Sequence, residues 1–453
     1  MNRLKRFWGN LRASFWFVPS VILALSIVFA LALIEVDSSR SGQWIARWPR
    51  MFGVSAAGAQ GMLSTIAGSM MTVVGVTFSM ILVTLALASS QYTSRILRNF
   101  MRDRVTQVVL GIFAGIFTYC LVVLRTVRGG DESTFVPVLS VAVSVLLAIG
   151  GIGSLIFFIH HIADSIQASS IIASVAAETM VAVDRLFPGN LGKEPADDAE
   201  DQSPPARPER KWQAVPVKGN GYIQSLDNAT LLRVAKEQNT IVRMERGIGE
   251  FVVQGTPLLS VAQDEPPGDD IIADLQNAYG IDRHRTVEQD TGFGIRQLVD
   301  MALRALSPGI NDTTTAVMCV DYLTAILSRL VTRDIPSSHR YEDGELRVIA
   351  IGPTFASLVA ESFDQIRGSA QGNLSIMLRM LGALHTIGSL TDSVTRKQIL
   401  SLHAQCIAEL AEQSLKFQHD RDRFDERYAI YGFTASPERA QIAPDSALER
   451  GWK

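Results

Sequence analysis

Charged residues are missing from long parts of the first third of this 453-residue chain. Four stretches contain no Asp, Glu, Lys or Arg, namely 15–34, 60–88, 105–124 and 135–159. Each is about 20 residues or longer, the length at which an α-helix crosses ~30 Å of hydrocarbon. A helix of that length in a soluble protein normally keeps a polar stripe. We therefore predict four membrane-spanning helices, within a domain of residues 1–163 in the lipid bilayer.

The chain also has few cysteines, no excess of basic over acidic residues and no recognisable catalytic motif. The three cysteines, Cys120, Cys319 and Cys406, are too far apart in sequence for a disulfide framework or a cysteine metal site. A net charge of −3 lacks the basic excess typical of proteins that bind nucleic acid. No Walker loop, GxGxxG fingerprint or nucleophile motif is present. We therefore predict no nucleic-acid partner, no metal and no cofactor, and an enzyme is the least favoured function class.

Basic residues outside the apolar stretches predict the orientation of the chain. They collect before the first stretch and between the second and third, at Arg3, Lys5, Arg6, Arg12, Arg95, Arg98, Arg102 and Arg104. Loops rich in Lys and Arg stay in the cytoplasm, so we predict a multi-pass protein with a cytoplasmic N-terminus and C-terminal domain. A cleaved signal peptide, ending near Ala30-Leu31-Ala32, is the alternative interpretation of the first stretch.

The second apolar stretch carries hydroxyl groups on one helical face. These side chains are Thr65, Ser69, Thr72 and Ser79, and glycines recur every seven residues at Gly61, Gly68 and Gly75. Small residues allow helices to approach closely, so one interpretation is a tight helix–helix contact. The other is a hydroxyl-lined pore, formed when copies of this helix surround an axis. The sequence leaves both open.

The charge-containing remainder divides by composition and periodicity into five segments. They are a helical stalk continuing the fourth span (164–187), a flexible linker (188–211), a small β-rich domain (212–265), a mainly helical domain (266–433) and a loose tail (434–453). The stretch 249–259, GEFVVQGTPLL, is similar to the turn and strand of swapped-hairpin barrels such as biotinyl domains. It predicts a small β-barrel, so the expected fold is four membrane helices followed by a cytoplasmic α+β region.

The densest mixed-charge cluster of the chain lies just before a predicted helix. Its members are Arg283, His284, Arg285, Glu288, Asp290 and Arg296. Structural ion pairing, ligand binding and catalysis, with Glu288 or Asp290 as general base, are the interpretations of these residue types.

A second polar group, Ser307, Asn311 and Asp312, follows Pro308-Gly309 in a turn between two predicted helices. Asn311 or Asp312 can cap the second helix. Exposed amides at such a helix start also suit an anion, so an anion site is the alternative to a capped turn.

Residues 280–316, GIDRHRTVEQDTGFGIRQLVDMALRALSPGINDTTTA, are the most distinctive part of the chain. Together with Phe15-Trp16 and the GEFVVQGTPLL stretch, they resemble the DUF2254 family of uncharacterised bacterial membrane proteins over nearly the whole chain. The resemblance implies four N-terminal spans and a cytoplasmic C-terminal domain, and we predict the bacterial inner membrane as the location. It implies no activity and no catalytic residues. A proline commonly follows Asp312 in the family pattern, whereas Thr313 stands here.

Two functional hypotheses follow. The first is a homo-oligomeric, channel-like inner-membrane protein with a cytoplasmic gating or regulatory domain. The second is a membrane-anchored sensor or scaffold that binds a ligand or protein partner through residues 283–315. The expected partners are the lipid bilayer, further copies of the chain, and a small ion or anionic ligand.

Overall fold

The computed structural model describes residues 16–40, 55–91, 103–128, 135–187 and 211–433. The chain forms two compact units, Met1–Ile171 and Ile172–Lys453. The predicted linker, except for residue 211, and the predicted tail fall outside the described residues.

The described residues of the first unit form four long apolar helices, which agrees with the four predicted spans. They are α1 (Phe17–Arg40), α2 (Ala56–Gln91), α3 (Arg104–Thr126) and α4 (Val138–Ser165). All four are long and apolar enough to cross a membrane. They extend beyond several of the uncharged stretches because polar residues at the ends continue the helical turns.

The third span is the centre of this unit. In the most apolar 18-residue stretch of α3, 56% of the residues are buried, against 6% in α1 and 17% each in α2 and α4. Val109, Phe113, Ile116 and Val123 of α3 are buried among residues of the other helices. The three outer helices therefore expose most of their apolar side chains, as helices in contact with lipid do.

The fourth span does not run continuously into the stalk. Helix α4 ends at Ser165, residues 166 and 167 form a turn, and α5 (Ala168–Leu186) starts a new helix. One face of α5 is closely packed, since Ile172, Val175 and Ala176 are at most 1% exposed. The stalk is therefore a separate helix rather than an extension of the span.

The β-rich part consists of two open sheets, so the predicted small barrel is wrong for the described residues. The strands are β1 (Trp212–Pro216), β2 (Gly221–Leu226), β3 (Val242–Met244), β4 (Phe251–Val252), β5 (Pro257–Ala262), β6 (Tyr279–Asp282), β7 (His339–Glu342) and β8 (Glu345–Ile349). One sheet has the order β1-β5-β3-β8-β7 and the other β4-β2-β6. The GEFVVQGTPLL stretch supplies β4 to one sheet and β5 to the other, turning at Gly255 with a φ of +85°.

Both sheets and two short helices share one hydrophobic core. The helices are α6 (Asn228–Glu237) and α7 (Asp269–Asn277). Leu231, Leu275 and Tyr279 lie in that core together with Val348 of β8. The β-rich part thus extends past residue 265 and takes in a hairpin from within the predicted helical domain, because β8 pairs in parallel with β3.

The other described residues of the second unit are mainly helical. They form α8 (Thr291–Ala305), α9 (Thr313–Leu330), α10 (Phe355–Ser369), α11 (Leu374–Gly388), α12 (Val394–Ser414) and α13 (Gln418–Ile430). Five of these begin at side chains that accept hydrogen bonds from the free N–H groups of the first turn, namely Asp290, Asp312, Thr354, Asn373 and Ser393.

Candidate functional site

Helix α2 has two unlike faces. The buried face, toward α3, carries Ala59, Leu63, Ala67 and Met70. On the opposite side, between Gly61 and Gly75, glycines and hydroxyl side chains form a narrow strip, flanked by the exposed Met62 and Met71. A Cβ atom added at Gly61, Gly68 or Gly75 would have nothing within 4 Å. These glycines therefore form no helix–helix contact with the other described residues, and the outward face is unoccupied in the protomer.

The hydroxyl groups of this outward face bond to their own helix. Thr65 donates to the carbonyl of Gly61 at 2.7 Å, Ser69 to that of Thr65 at 2.8 Å, and Thr72 to that of Gly68 at 3.1 Å. Each hydroxyl proton is thus used within the helix, while the oxygen keeps a lone pair that faces outward. The face can accept hydrogen bonds or coordinate a cation weakly, and it carries no charge.

Ser79 lies in a different environment from the other predicted pore residues. It lines a cleft of about 560 Å³ between α2 and α4. The other lining residues are Val76, Met80, Val83, Thr84, Leu87, Ile159, Ile162, Ala163 and Ile166. This surrounding is almost wholly apolar, so Thr65, Ser69 and Thr72 form the continuous polar face and Ser79 stands apart.

The GxxxG pair of α3, in contrast, is a contact inside the protomer. A Cβ atom at Gly111 would lie 2.7 Å from Cδ1 of Ile22, and one at Gly115 would lie 2.5 Å from Oγ of Ser26. Helix α1 therefore approaches α3 across these two glycines. The same residue type marks an internal contact on α3 and an open face on α2.

Two carboxylates tie the ends of the spans together, and sequence reasoning missed both. Asp37 of α1 accepts hydrogen bonds from the backbone N–H groups of Leu139 and Ser140, at 3.1 and 2.9 Å, and so caps the start of α4.

Asp103 caps α3 through Val105 and Thr106. Its Oδ2 also lies 2.9 Å from Nε2 of His161, while His160 is exposed. Only the Asp103 cap had a local sequence signal, an Asp three residues before Thr.

In the second unit, the mixed-charge cluster is centred on a buried ion pair. Arg285 donates to both carboxylate oxygens of Asp290, at 2.9 and 3.1 Å. Asp290 is only 8% exposed and accepts from the N–H of Phe293 as the cap of α8. Burial raises the pKa of this carboxyl, although Arg285 and the cap bond oppose the shift. Gly249, at a φ of +86°, packs so closely on the pair that a Cβ would lie 2.5 Å from Oδ2 of Asp290.

Glu361 of α10 joins this cluster, and no sequence pattern indicated it. A Cβ atom on Gly292, in the first turn of α8, would lie 2.9 Å from its Oε2. Burial raises the pKa of Glu361 to about 7. The nearby guanidinium groups of Arg285 and Arg296 oppose this rise, while Asp290 and Asp300 add to it. Arg296 is itself paired with Asp300 at 3.0 Å. Both arginines are thus engaged by other carboxylates.

The turn with Ser307, Asn311 and Asp312 is not part of this cluster. It lies at the other end of α8, a helix of 15 residues and therefore about 22 Å in length. Asp312 accepts from the hydroxyl of Thr315 and, as the cap of α9, from the N–H of the same residue, and both bonds lower the pKa of its carboxyl. Asn311 takes a left-handed φ of +51°, and Ser307 Oγ donates to the carbonyl of Arg304. The geometry is that of a capped turn.

The remaining members of the predicted cluster are at the surface. Arg283, His284 and Glu288 are exposed, whereas Arg285 and Arg296 are half-buried. The structure thus brings together Arg285, Asp290 and Arg296, adds Glu361, and separates the turn at 307–312. Within the described ranges, no three His, Cys, Asp or Glu side chains are placed to hold a metal ion.

The comparisons agree with this architecture. A family model described as "Predicted membrane protein (DUF2254)" matches residues 12–386. The chain is 31% identical over 429 residues to uncharacterized proteins of Mycobacterium bovis and Mycobacterium tuberculosis, covering 93% of this chain and 80% of theirs. No solved structure matches the chain significantly. With four apolar helices in place and the family model spanning most of its length, the chain belongs to the DUF2254 family of predicted membrane proteins.

Proposed function

We propose that this chain is a homo-oligomeric, channel-like protein of the bacterial inner membrane whose second unit is a cytoplasmic gating or regulatory domain. The observation that carries the proposal is the outward face of α2, which has open glycines and three aligned hydroxyl side chains. The basic residues before α1 and between α2 and α3 support a cytoplasmic N-terminus and second unit.

A second copy is the partner that suits this face. Helices associate in membranes where small residues let the backbones approach, since lipid offers no hydrophobic gain for association. Between Gly61 and Gly75 the face itself presents glycines and small hydroxyl side chains, and the exposed Met62 and Met71 flank it. When copies meet around an axis, the same face supplies Thr65, Ser69 and Thr72 to the centre.

Such a centre favours weak contacts with ions over tight binding. The hydroxyl protons are held by the helix, so oxygen lone pairs point away from it. Rings of uncharged oxygen atoms can replace part of the hydration shell of a small cation without trapping it.

The first test is the molecular mass of the full-length protein in detergent, measured by light scattering. We expect an oligomer of three or more copies. The Gly68→Leu variant should lower the association constant at least about 10-fold, which corresponds to ~1.4 kcal/mol. Gly150→Leu is the matched control, because Gly150 of α4 also has nothing within 4 Å of a Cβ. A monomeric wild type, or equal effects of the two variants, contradicts the proposal.

The second test is ion flux into liposomes. We expect the wild-type protein to conduct, and Thr72→Val to reduce the flux because it removes one hydroxyl oxygen from each copy. Ser79→Ala serves as the control, because Ser79 lies in the apolar cleft beside α4. An oligomer that assembles normally but carries no flux shows that the face is a helix–helix contact and that the channel is wrong.

The alternative is a membrane-anchored sensor or scaffold. The observation favouring it is that Arg283, His284 and Glu288 are exposed next to the buried Arg285–Asp290 pair. That arrangement suits recognition of an anionic ligand or an acidic peptide. A monomeric protein whose binding to such a probe is lost in Arg283→Ala supports the alternative over the channel.

A further inference from the structure

The first turn of α8 is where three parts of the second unit meet. Gly292 faces Glu361 of α10, at a distance that leaves no room for a Cβ. Gly294, on the same turn, lies directly against Thr179 of α5. Phe293 packs with Ala182 of α5 and stacks against the guanidinium of Arg285 at 5.1 Å. A change in the position of this turn therefore moves the surface against which α5 packs.

The charges around Glu361 do not balance when it is ionised. Two guanidinium groups, Arg285 and Arg296, then face three carboxylates, Asp290, Asp300 and Glu361. Because each arginine is already paired with an aspartate, Glu361 has no cation of its own in this set. A charged carboxylate in such a place is disfavoured, whereas a protonated one balances the cluster.

We propose that Glu361 is a regulatory proton-binding group whose ionisation loosens the contact between the first turn of α8 and helix α5. Protonated, Glu361 sits against Gly292 without excess charge. Ionised, it repels Asp290 and Asp300 and draws water toward the turn, which weakens the packing of Gly294 on Thr179.

The direction of the pH effect follows from the pKa. Burial raises the pKa of Glu361 to about 7 from 4.5. The folded protein therefore binds more protons than the unfolded chain between these pH values, and its stability falls as pH rises through that window. The tight form of the contact is favoured on the acidic side, and the loosened form above about pH 7.

Other titratable groups near α10 define the necessary control. Asp364, three residues after Glu361 on α10, pairs with Arg367 at 3.4 Å and with Nδ1 of His403 on α12, also at 3.4 Å. This charged group lies about one helical turn from Glu361 on the same helix. Asp364→Asn perturbs that group while leaving the contact of Glu361 with Gly292 in place.

Helix α5 follows the fourth span after a two-residue turn. A regulatory role for its contact with α8 rests on the proposed function, since it presumes that the span responds. Hydrogen exchange reports on the backbone of α5 and of the α8 region, so its outcome is independent of whether the protein conducts ions.

The experiment is hydrogen–deuterium exchange on full-length protein in detergent, at about pH 5.5 and about pH 8.5. Wild type, Glu361→Gln and Asp364→Asn are compared at the same pH, which cancels the intrinsic effect of pH on exchange. We expect amides of residues 172–186 to exchange about 5-fold or more slowly in Glu361→Gln than in wild type at the higher pH. At the lower pH the two proteins should match.

Three outcomes overturn the inference. The first is an equal difference between Glu361→Gln and wild type at both pH values, because titration is then not the cause. The second is an Asp364→Asn variant that reproduces the effect. The third is a change confined to residues 285–296, which shows that α5 does not sense the cluster.

Discussion

At the scale of single residues, Asp290 combines two roles that are separate elsewhere in the chain. It caps a helix, as Asp312 does, and it also neutralises a half-buried arginine. Asp312 caps α9 at the surface, where its carboxylate is largely hydrated. Comparing the two aspartates therefore separates the free energy contributed by the helix cap from that contributed by the ion pair.

Asn caps helices about as well as Asp, so Asp290→Asn keeps the cap and removes only the charge. We expect it to lower the free energy of unfolding by roughly 3 kcal/mol, because the partly buried guanidinium of Arg285 loses the charge of the carboxylate that it binds. Asp312→Asn should cost less than about 0.5 kcal/mol. Thermal or chemical unfolding of the full-length variants measures both. Equal costs would show that Arg285 finds water or another partner.

At the scale of elements, a glycine of α8 allows α5 and α8 to pack closely. Gly294 allows the backbone of α8 to reach the side chain of Thr179. At the far end of α5, Asp184 pairs with Arg333 at 2.8 Å and also with Arg329. The helix is thus fixed by close packing at one point and by a branched ion pair at another.

Gly294→Ala should lower the free energy of unfolding by about 1–3 kcal/mol, since the added methyl group overlaps Thr179. Gly368→Ala in α10 is the matched control, because a Cβ there meets nothing within 4 Å. In that exposed helical position, alanine should stabilise by roughly 0.5–1 kcal/mol. Thermal unfolding shows whether each variant is destabilised or stabilised. A neutral Gly294→Ala variant would mean that α5 and α8 separate easily.

Local features of the sequence predicted the elements better than their partners. Uncharged length predicted the four spans. The turn at Pro308-Gly309 predicted a helix cap at Asn311 or Asp312, and Asp312 is the residue that supplies it. The position of Glu361 could not be predicted, because its burial depends on how α10 packs against α8, more than 60 residues earlier. The barrel prediction failed for the same reason, since a hairpin about 80 residues further along completes the sheet.

At the scale of the whole molecule, a carboxylate of the first span caps the start of the last span. Asp37 caps α4 across about 100 residues of sequence, and Pro137 at the cap position of α4 forms no side-chain cap of its own. The start of the fourth span therefore depends on the presence of the first.

Asp37→Ala should cost about 1–2 kcal/mol, because two N–H groups at the start of α4 lose their acceptor. Asp164→Ala, at an exposed position near the end of α4, is the control and should be close to neutral. Thermal stability in detergent, followed by exchange at residues 138–142, gives the comparison. If exchange there is unchanged, the cap contributes nothing.

The parallel pairing of β3 with β8 also has a consequence for synthesis on the ribosome. Val242 and Arg243 find their partners at Val348 and Ile349, about 100 residues later. At ~5–20 residues per second, the ribosome needs roughly 5–20 s to deliver those partners. During that interval one edge of β3 is an unpaired template for other nascent chains. The period of greatest aggregation risk is therefore set by translation speed, and slowing translation between these strands should lower the yield of intact protein.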